Sequence, residues 1–313
     1  MAWYALRMRL AQFSDLHLLS LDGAKLLDYA NKRWIGRMNL VSSRSRHYHT
    51  IAFDDMVEDL NAQKLDHIIC TGDVTNLALE QEFVFARARF DRLELGTAGV
   101  TVIPGNHDAY VDAGIEHFAK IFGDHATSDA EWAWPHADDL ENRWPVVRVR
   151  GDLALIAIST SHETPWFTAY GSIGVRQLAR VKQVLADPRL AGKCRVVAIH
   201  HPPAGKRADS RIRGLKDRAP LQAILAEHGA ALVIHGHEHR NLRETVPGPD
   251  GPIDVLGVPS GTYHAKHADR LARYRIFDIE GGRVVGHHLR VWHRASRTFV
   301  RDETELPFAV ASA

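Results

Sequence analysis

Val100-Thr101-Val102-Ile103-Pro104-Gly105-Asn106-His107-Asp108 is the stretch from which the rest of the chain can be read. Its first four residues read as a strand, and the polar cluster after them puts an amide, an imidazole and a carboxylate at the strand's end. The same grammar recurs. Leu10–Phe13 precedes Asp15-Leu16-His17, and His67–Thr71 precedes Gly72-Asp73. Val196–Ile199 precedes His200-His201-Pro202, and Leu232–His235 precedes Gly236-His237-Glu238-His239. Leu153–Ile158 and Val255–Val258 are further strand candidates. Amphipathic stretches at Ile51–Gln63, Phe83–Leu93, Val175–Leu185 and Pro220–His228 lie between them. Alternating strands and helices predict a layered α/β domain, where ligands gather at strand ends. Arg273–Ile279 and Arg283–Val291, joined by Glu280-Gly281-Gly282, predict a hairpin closing a sheet. There is no internal repeat, low-complexity linker or composition break, so one domain is expected.

The chain has 313 residues, 39 Lys+Arg against 38 Asp+Glu, 45% hydrophobic and 25% charged residues. Such a composition excludes a disordered chain, and the formal net charge of +1 argues against a protein held to nucleic acid by bulk electrostatics. Histidine is in excess, at 20 residues. Cys70 and Cys194 sit in apolar runs and form no disulfide framework, which predicts reduced thiols and a cytoplasmic protein. Met1–Arg9 lacks an apolar core, so no signal peptide is expected, and no apolar run approaches the roughly 18 residues of a membrane span. Two segments interrupt the alternation. Residues 23–49 carry Lys25, Lys32, Arg33, Arg37, Arg44 and Arg46 against Asp28, mixed with Leu26, Tyr29, Trp34 and Ile35. The bland reading is a solvated helical face. The functional one is a basic amphipathic cap touching an anionic substrate or, peripherally, the inner face of a membrane. Residues 123–142 are acidic and aromatic and read as a surface insertion. The domain is expected over 8–300, with a poorly packed tail at 301–313. Isolated histidines such as His125, His136, His228 and His293 read as surface.

Together the clusters supply carboxylate, amide and imidazole donors, which suit Mn, Fe or Zn. In this order, D-x-H, G-D, G-N-H-D, H and G-H-x-H resemble the signature of the calcineurin-like metallophosphoesterase superfamily, from Asp15 to His239. The resemblance implies a four-layer αββα sandwich of two mixed β-sheets. It implies two divalent ions per chain, about 3.5–4 Å apart. One ion is expected on Asp15, His17, Asp73 and His239, the other on Asp73, Asn106, His200 and His237. Asp73 bridges them, with an oxygen available to each cation. A water between two cations loses its proton near neutral pH and attacks phosphorus in line. His107 matches the family's non-ligand histidine, expected to donate to the phosphoryl group and protonate the leaving oxygen, with Asp108 orienting it. His201 and His264 are candidate substrate contacts.

The motifs look like the phosphodiesterase branch that acts on cyclic nucleotides and glycerophosphodiesters. A metal-dependent phosphodiesterase acting on a small or lipid-linked phosphoester is therefore expected. The alternative resembles the UDP-2,3-diacylglucosamine pyrophosphatases of lipid A synthesis, on the strength of the basic segment. A DNA nuclease fits less well, because the region after His239 is short. A non-enzymatic scaffold fits least, since every expected ligand type is present.

Overall fold

The computed structural model describes residues 7–20, 48–139, 142–264 and 270–304. Strands β1 (Met8–Phe13), β2 (His67–Cys70), β3 (Val100–Val102), β10 (Arg273–Glu280), β11 (Arg283–His293) and β12 (Thr298–Arg301) form one sheet, in the order β12-β11-β10-β1-β2-β3. The second has β4 (Val146–Arg150), β5 (Leu153–Ile158), β6 (Cys194–Ile199), β7 (Leu232–His235), β8 (Leu242–Val246) and β9 (Ile253–Gly257), in the order β4-β5-β6-β7-β9-β8. Both sheets are mixed. β1, β2 and β3 run parallel, as do β5, β6, β7 and β9, while the flanking strands are antiparallel.

Alternation along the second sheet explains the layering. Leu155, Val196, Ile234 and Leu256 join the core shared with the first sheet. Their neighbours Ile156, Val197, Val233 and Val255 face the other way, onto helices α4 (Val175–Leu185) and α5 (Arg218–His228). Helices α1 (Thr50–Ala62), α2 (Glu80–Phe90) and α3 (Asp112–Phe122) cover the first sheet. Phe13 of β1 lies 5.5 Å from Phe53 of α1 and 5.8 Å from Phe90 of α2, ring centre to ring centre. The result is the four-layer αββα sandwich, in a single domain. No described helix is long and apolar enough to cross a membrane.

Several expectations change. Asp302 is not part of a loose tail: it is buried and pairs with Arg273 at 2.7 Å. His125 is no surface residue but a core one, its Nδ1 3.1 Å from the Val100 carbonyl. In the 123–142 segment, Trp134 donates to the Pro145 carbonyl (2.7 Å) and lies under Arg180, while Arg189 covers Trp132. The aromatic residues there clamp the segment to the second sheet's helical face. Of the basic segment at 23–49, only Tyr48 and His49 lie within the described residues. Cys70 and Cys194 are buried free thiols, and burial pushes the Cys194 thiol up to about 12.

Candidate metal centre

The parallel strands of both sheets point their C-terminal ends at one place. Asp15 and His17 follow β1, Asp73 follows β2, Asn106 follows β3, His200 follows β6, and His237 and His239 follow β7. The loops are stapled together. The loop after β1 runs beside that after β2, through Asp15 N–H to Gly72 O (2.9 Å) and His17 N–H to Asp73 O (3.0 Å). From beyond β9, the Ser260 hydroxyl donates to Asp15 O and the Thr262 hydroxyl to Leu16 O, both at 2.6 Å. Close approach depends on glycine: a Cβ on Gly105 would lie 2.2 Å from Asp73 Oδ1, and one on Gly236 2.0 Å from Ser14 Oγ.

Two groups of donors result. Asp15, His17, Asp73 and His239 offer ligand atoms within 4.8 Å of one another. On the other side, His237 Nδ1 and His200 Nε2 lie 2.9 and 3.1 Å from Asn106 Oδ1. Asp73 Oδ2 stands between the groups, 3.8 Å from His17 Nε2 and 3.6 Å from His200 Nε2. The other oxygen, Oδ1, accepts from the His107 backbone N–H at 2.7 Å. Oδ2 is thus the Asp73 oxygen nearest the histidines of both groups.

Hydrogen bonds fix which atoms are lone pairs. His200 Nδ1 must donate to the Thr71 carbonyl (2.7 Å), so Nε2 of the neutral ring is an acceptor. The His237 ring likewise donates to the Arg213 backbone carbonyl. The remaining imidazole nitrogens, Asn106 Oδ1 and Asp73 Oδ2 thus point acceptor at acceptor. Charge tells the same story. Burial, with Asp15 and Asp108 nearby, pushes the Asp73 carboxyl well up. Burial also raises Asp15, but His239, His200 and the Ser14 hydroxyl outweigh it and hold this carboxyl below the usual range. Buried carboxylates and converging lone pairs are costly unless a cation sits among them. The donor set fits a dinuclear divalent centre.

Three expected residues behave differently. Asp108 does not orient His107. Its carboxylate accepts from the backbone of Val74, Thr75 and Gly105 and from the Thr75 hydroxyl, pinning the loops after β2 and β3 together. The His107 ring is held instead by the Asn76 carbonyl, 2.7 Å from Nδ1. His201 is fully buried behind His200 and His237, with Nε2 donating to Ala169 O (3.1 Å) and Nδ1 accepting from the Thr160 hydroxyl (2.7 Å). It shapes the site from behind and leaves no nitrogen for a substrate. His264 packs by Trp292 and His49, while its neighbour Tyr263 lines the cleft. Tyr48, which no motif marks, lies 3.2 Å from His239 Nδ1 and packs edge-on to His17.

His17, Asp73, Asn106, His237 and His239 form the floor of a cleft of about 360 Å³, whose walls include His107, Tyr48, Tyr263 and Ala169. The family model for calcineurin-like phosphoesterases matches residues 8–241, which contain every donor named above. The chain belongs to the calcineurin-like phosphoesterase family. Accordingly this phosphoesterase is a metal-dependent hydrolase of phosphoric esters. Its fold is similar to that of a dimetal phosphatase from Danio rerio, at 12% identity and a TM-score of 0.61, over 90% of this chain and 95% of that one. A purple acid phosphatase from yellow lupin (Lupinus luteus) seeds aligns at 13% identity and a TM-score of 0.58, over 95% of the phosphoesterase and 53% of the lupin chain. No curated protein matches the phosphoesterase.

Proposed function

We propose that the chain hydrolyses a phosphodiester by in-line displacement at phosphorus. The observation that carries this reading is the convergence of carboxylate, imidazole and amide donors on both sides of Asp73 Oδ2, with His107 presented to the same cleft. Asp15, His17, Asp73 and His239 would hold one divalent cation, and Asp73, Asn106, His200 and His237 the other, from among Mn, Fe and Zn. When bound, such a pair acidifies water toward neutral pKa and offsets phosphoryl charge. The protein's own part falls to His107. Its Nδ1 is tied to the Asn76 carbonyl, which sets the ring's orientation, and the residue lines the cleft, so the ring is the group proposed to meet the phosphoryl oxygens. Protonated, it donates to a phosphoryl oxygen and passes its proton to the leaving oxygen.

A cleft of about 360 Å³ that continues past the donors to Tyr48, Tyr263 and Ala169 leaves room for a group on each side of phosphorus, which supports a diester. Both structural relatives are phosphatases by name, so a monoester is the direct rival. The test is a panel of bis(p-nitrophenyl) phosphate, p-nitrophenyl phosphate, cyclic AMP and UDP-diacylglucosamine with Mn present. Faster hydrolysis of the diesters is expected, and a preference for p-nitrophenyl phosphate would overturn the reading. The lipid-linked alternative rests on residues 23–49, of which 23–47 lie outside the described residues, and nothing among the described ones favours it. Buried, unpaired Cys70 and Cys194 support a reducing, cytoplasmic setting.

A further inference from the structure

Four arginines line the mouth of the cleft: Arg207, Arg213, Arg240 and Arg270. Arg207 and Arg213 follow β6, Arg240 follows β7, and Arg270 precedes β10. Arg207 reaches Glu238 at 3.1 Å. The other three form no close ion pair among the described residues, although Arg213 lies near enough to Glu238 to favour its charged form. The acids of the centre lie deeper, with Asp15 3.1 Å from His239 and Asp73 beside His17 and His200, and none of the three arginines forms an ion pair with them.

The loop that carries two of these cations is held in place. The loop bearing Arg207 and Arg213 is closed by Arg213 N–H to Ser210 Oγ (3.2 Å) and Gly214 N–H to Ser210 O (2.7 Å). It is tied sideways by Ala169 N–H to Ile212 O (2.8 Å) and Gly171 N–H to Gly214 O (3.0 Å). The backbone of Arg213 also engages the His237 ring. The Arg213 backbone therefore stands at a set place beside the donor floor, with its side chain exposed at the cleft.

A phosphodiester carries one negative charge, which the floor and His107 already answer. Three further guanidiniums at one cleft exceed that need, and their summed field draws a second anion to its mouth. The geometry points to a second anionic subsite at the mouth, built by Arg213 and Arg240 with Arg207 and Arg270. Its ligand is a phosphate or carboxylate carried elsewhere on the substrate. A guanidinium fork matches either group with two hydrogen bonds. Glu238 holds Arg207 aside and by like charge sets how far an incoming anion can travel. The inference rests on the phosphoesterase reading above and narrows its substrate to esters bearing a second anionic group.

The test compares thymidine 5′-monophosphate with thymidine 3′,5′-bisphosphate. Both are used as competitive inhibitors of bis(p-nitrophenyl) phosphate hydrolysis by the Mn-loaded protein, and in calorimetric titrations. The bisphosphate should bind about tenfold tighter, the worth of one charge-assisted contact. That ratio should fall toward one in the Arg213→Ala, Arg240→Ala double variant. The single variant Arg240→Gln, on an exposed residue, should lower it partway without risk to folding. Equal binding, no binding of either nucleotide, or a preference that survives in the double variant would overturn the subsite. If the parent protein fails to hydrolyse the diester, the phosphodiesterase reading falls, while the calorimetric ratio still decides the subsite.

Discussion

Asp15, His17, Asp73, His237 and His239 all have positive φ, between 46° and 68°. A residue with a side chain held there costs roughly 1–3 kcal/mol, and this cluster of five explains how loops so short turn their donors to a common point. Glycine occupies such a φ without strain. His239→Gly and His239→Ala both delete the donor, yet in chelator the glycine variant should be the more stable by about 1 kcal/mol. Equal melting temperatures would show that the backbone there is relaxed. At His107 the prediction concerns rate. His107→Ala should keep its metal content but turn over about 10²–10⁴ times more slowly; metal analysis and kinetics on a substrate with a poor leaving group check both halves. These side chains were legible because their chemistry is written in their types. Their supports were not: Thr71 and Asn76 act through carbonyls, which every residue possesses, and Tyr48 reaches His239 from far along the chain. The role expected of Asp108 failed for a related reason, since a buried carboxylate beside three backbone N–H groups is used up by them.

Among the elements, the strands that carry donors were the easiest to find, as uninterrupted apolar runs buried on both faces. β4, β8, β12 and α3 escaped. β8 is an edge strand whose Arg243 and Thr245 face solvent, so its run is broken by polar residues. In β4, Arg148 looks like a surface residue but is buried, its guanidinium donating to the carbonyls of Thr97, Ala98, Asp124 and Thr127. Loop packing at the strand ends supplies a further prediction. Gly236→Ala would drive its new methyl into Ser14 Oγ and the Asp15 carboxylate. Metal affinity and turnover should both fall, and Ser14→Ala should restore part of the loss. A fully active Gly236→Ala protein would show that this approach is loose. The rim arginines were invisible in the sequence because they come from three separate loops, and only folding brings them to one mouth.

At the scale of the whole molecule, the surplus of histidine has a second explanation besides metal. Burial, helped by Arg148 and Arg150, holds His67 well below the ordinary 6.5. Burial with Arg275 and Arg243 lowers His287 to about 3, and burial with Arg301 lowers His288 to about 4. These rings stay neutral when folded and take up protons when unfolded. Stability from them is present above pH 6.5 and is lost as pH falls toward 4. Thermal melts from pH 7.5 to 5 should show that decline, and His287→Gln, which keeps an acceptor for Arg275, should make it shallower. An identical slope in that variant would remove His287 from the account.

The donors are divided between the two sheets, with Asp15, His17, Asp73 and Asn106 following strands of one and His200, His237 and His239 following strands of the other. The centre is thus a gauge of alignment spanning the sandwich. Ligand positions must hold to within about 0.5 Å for function, so a slip of one sheet over the other registers there first. Substitutions deep in the shared core, at Phe13 or Ile234, should cost metal affinity before they cost the fold. A variant that looks intact by melting can therefore be sorted from a well-registered one by how tightly it keeps its cations.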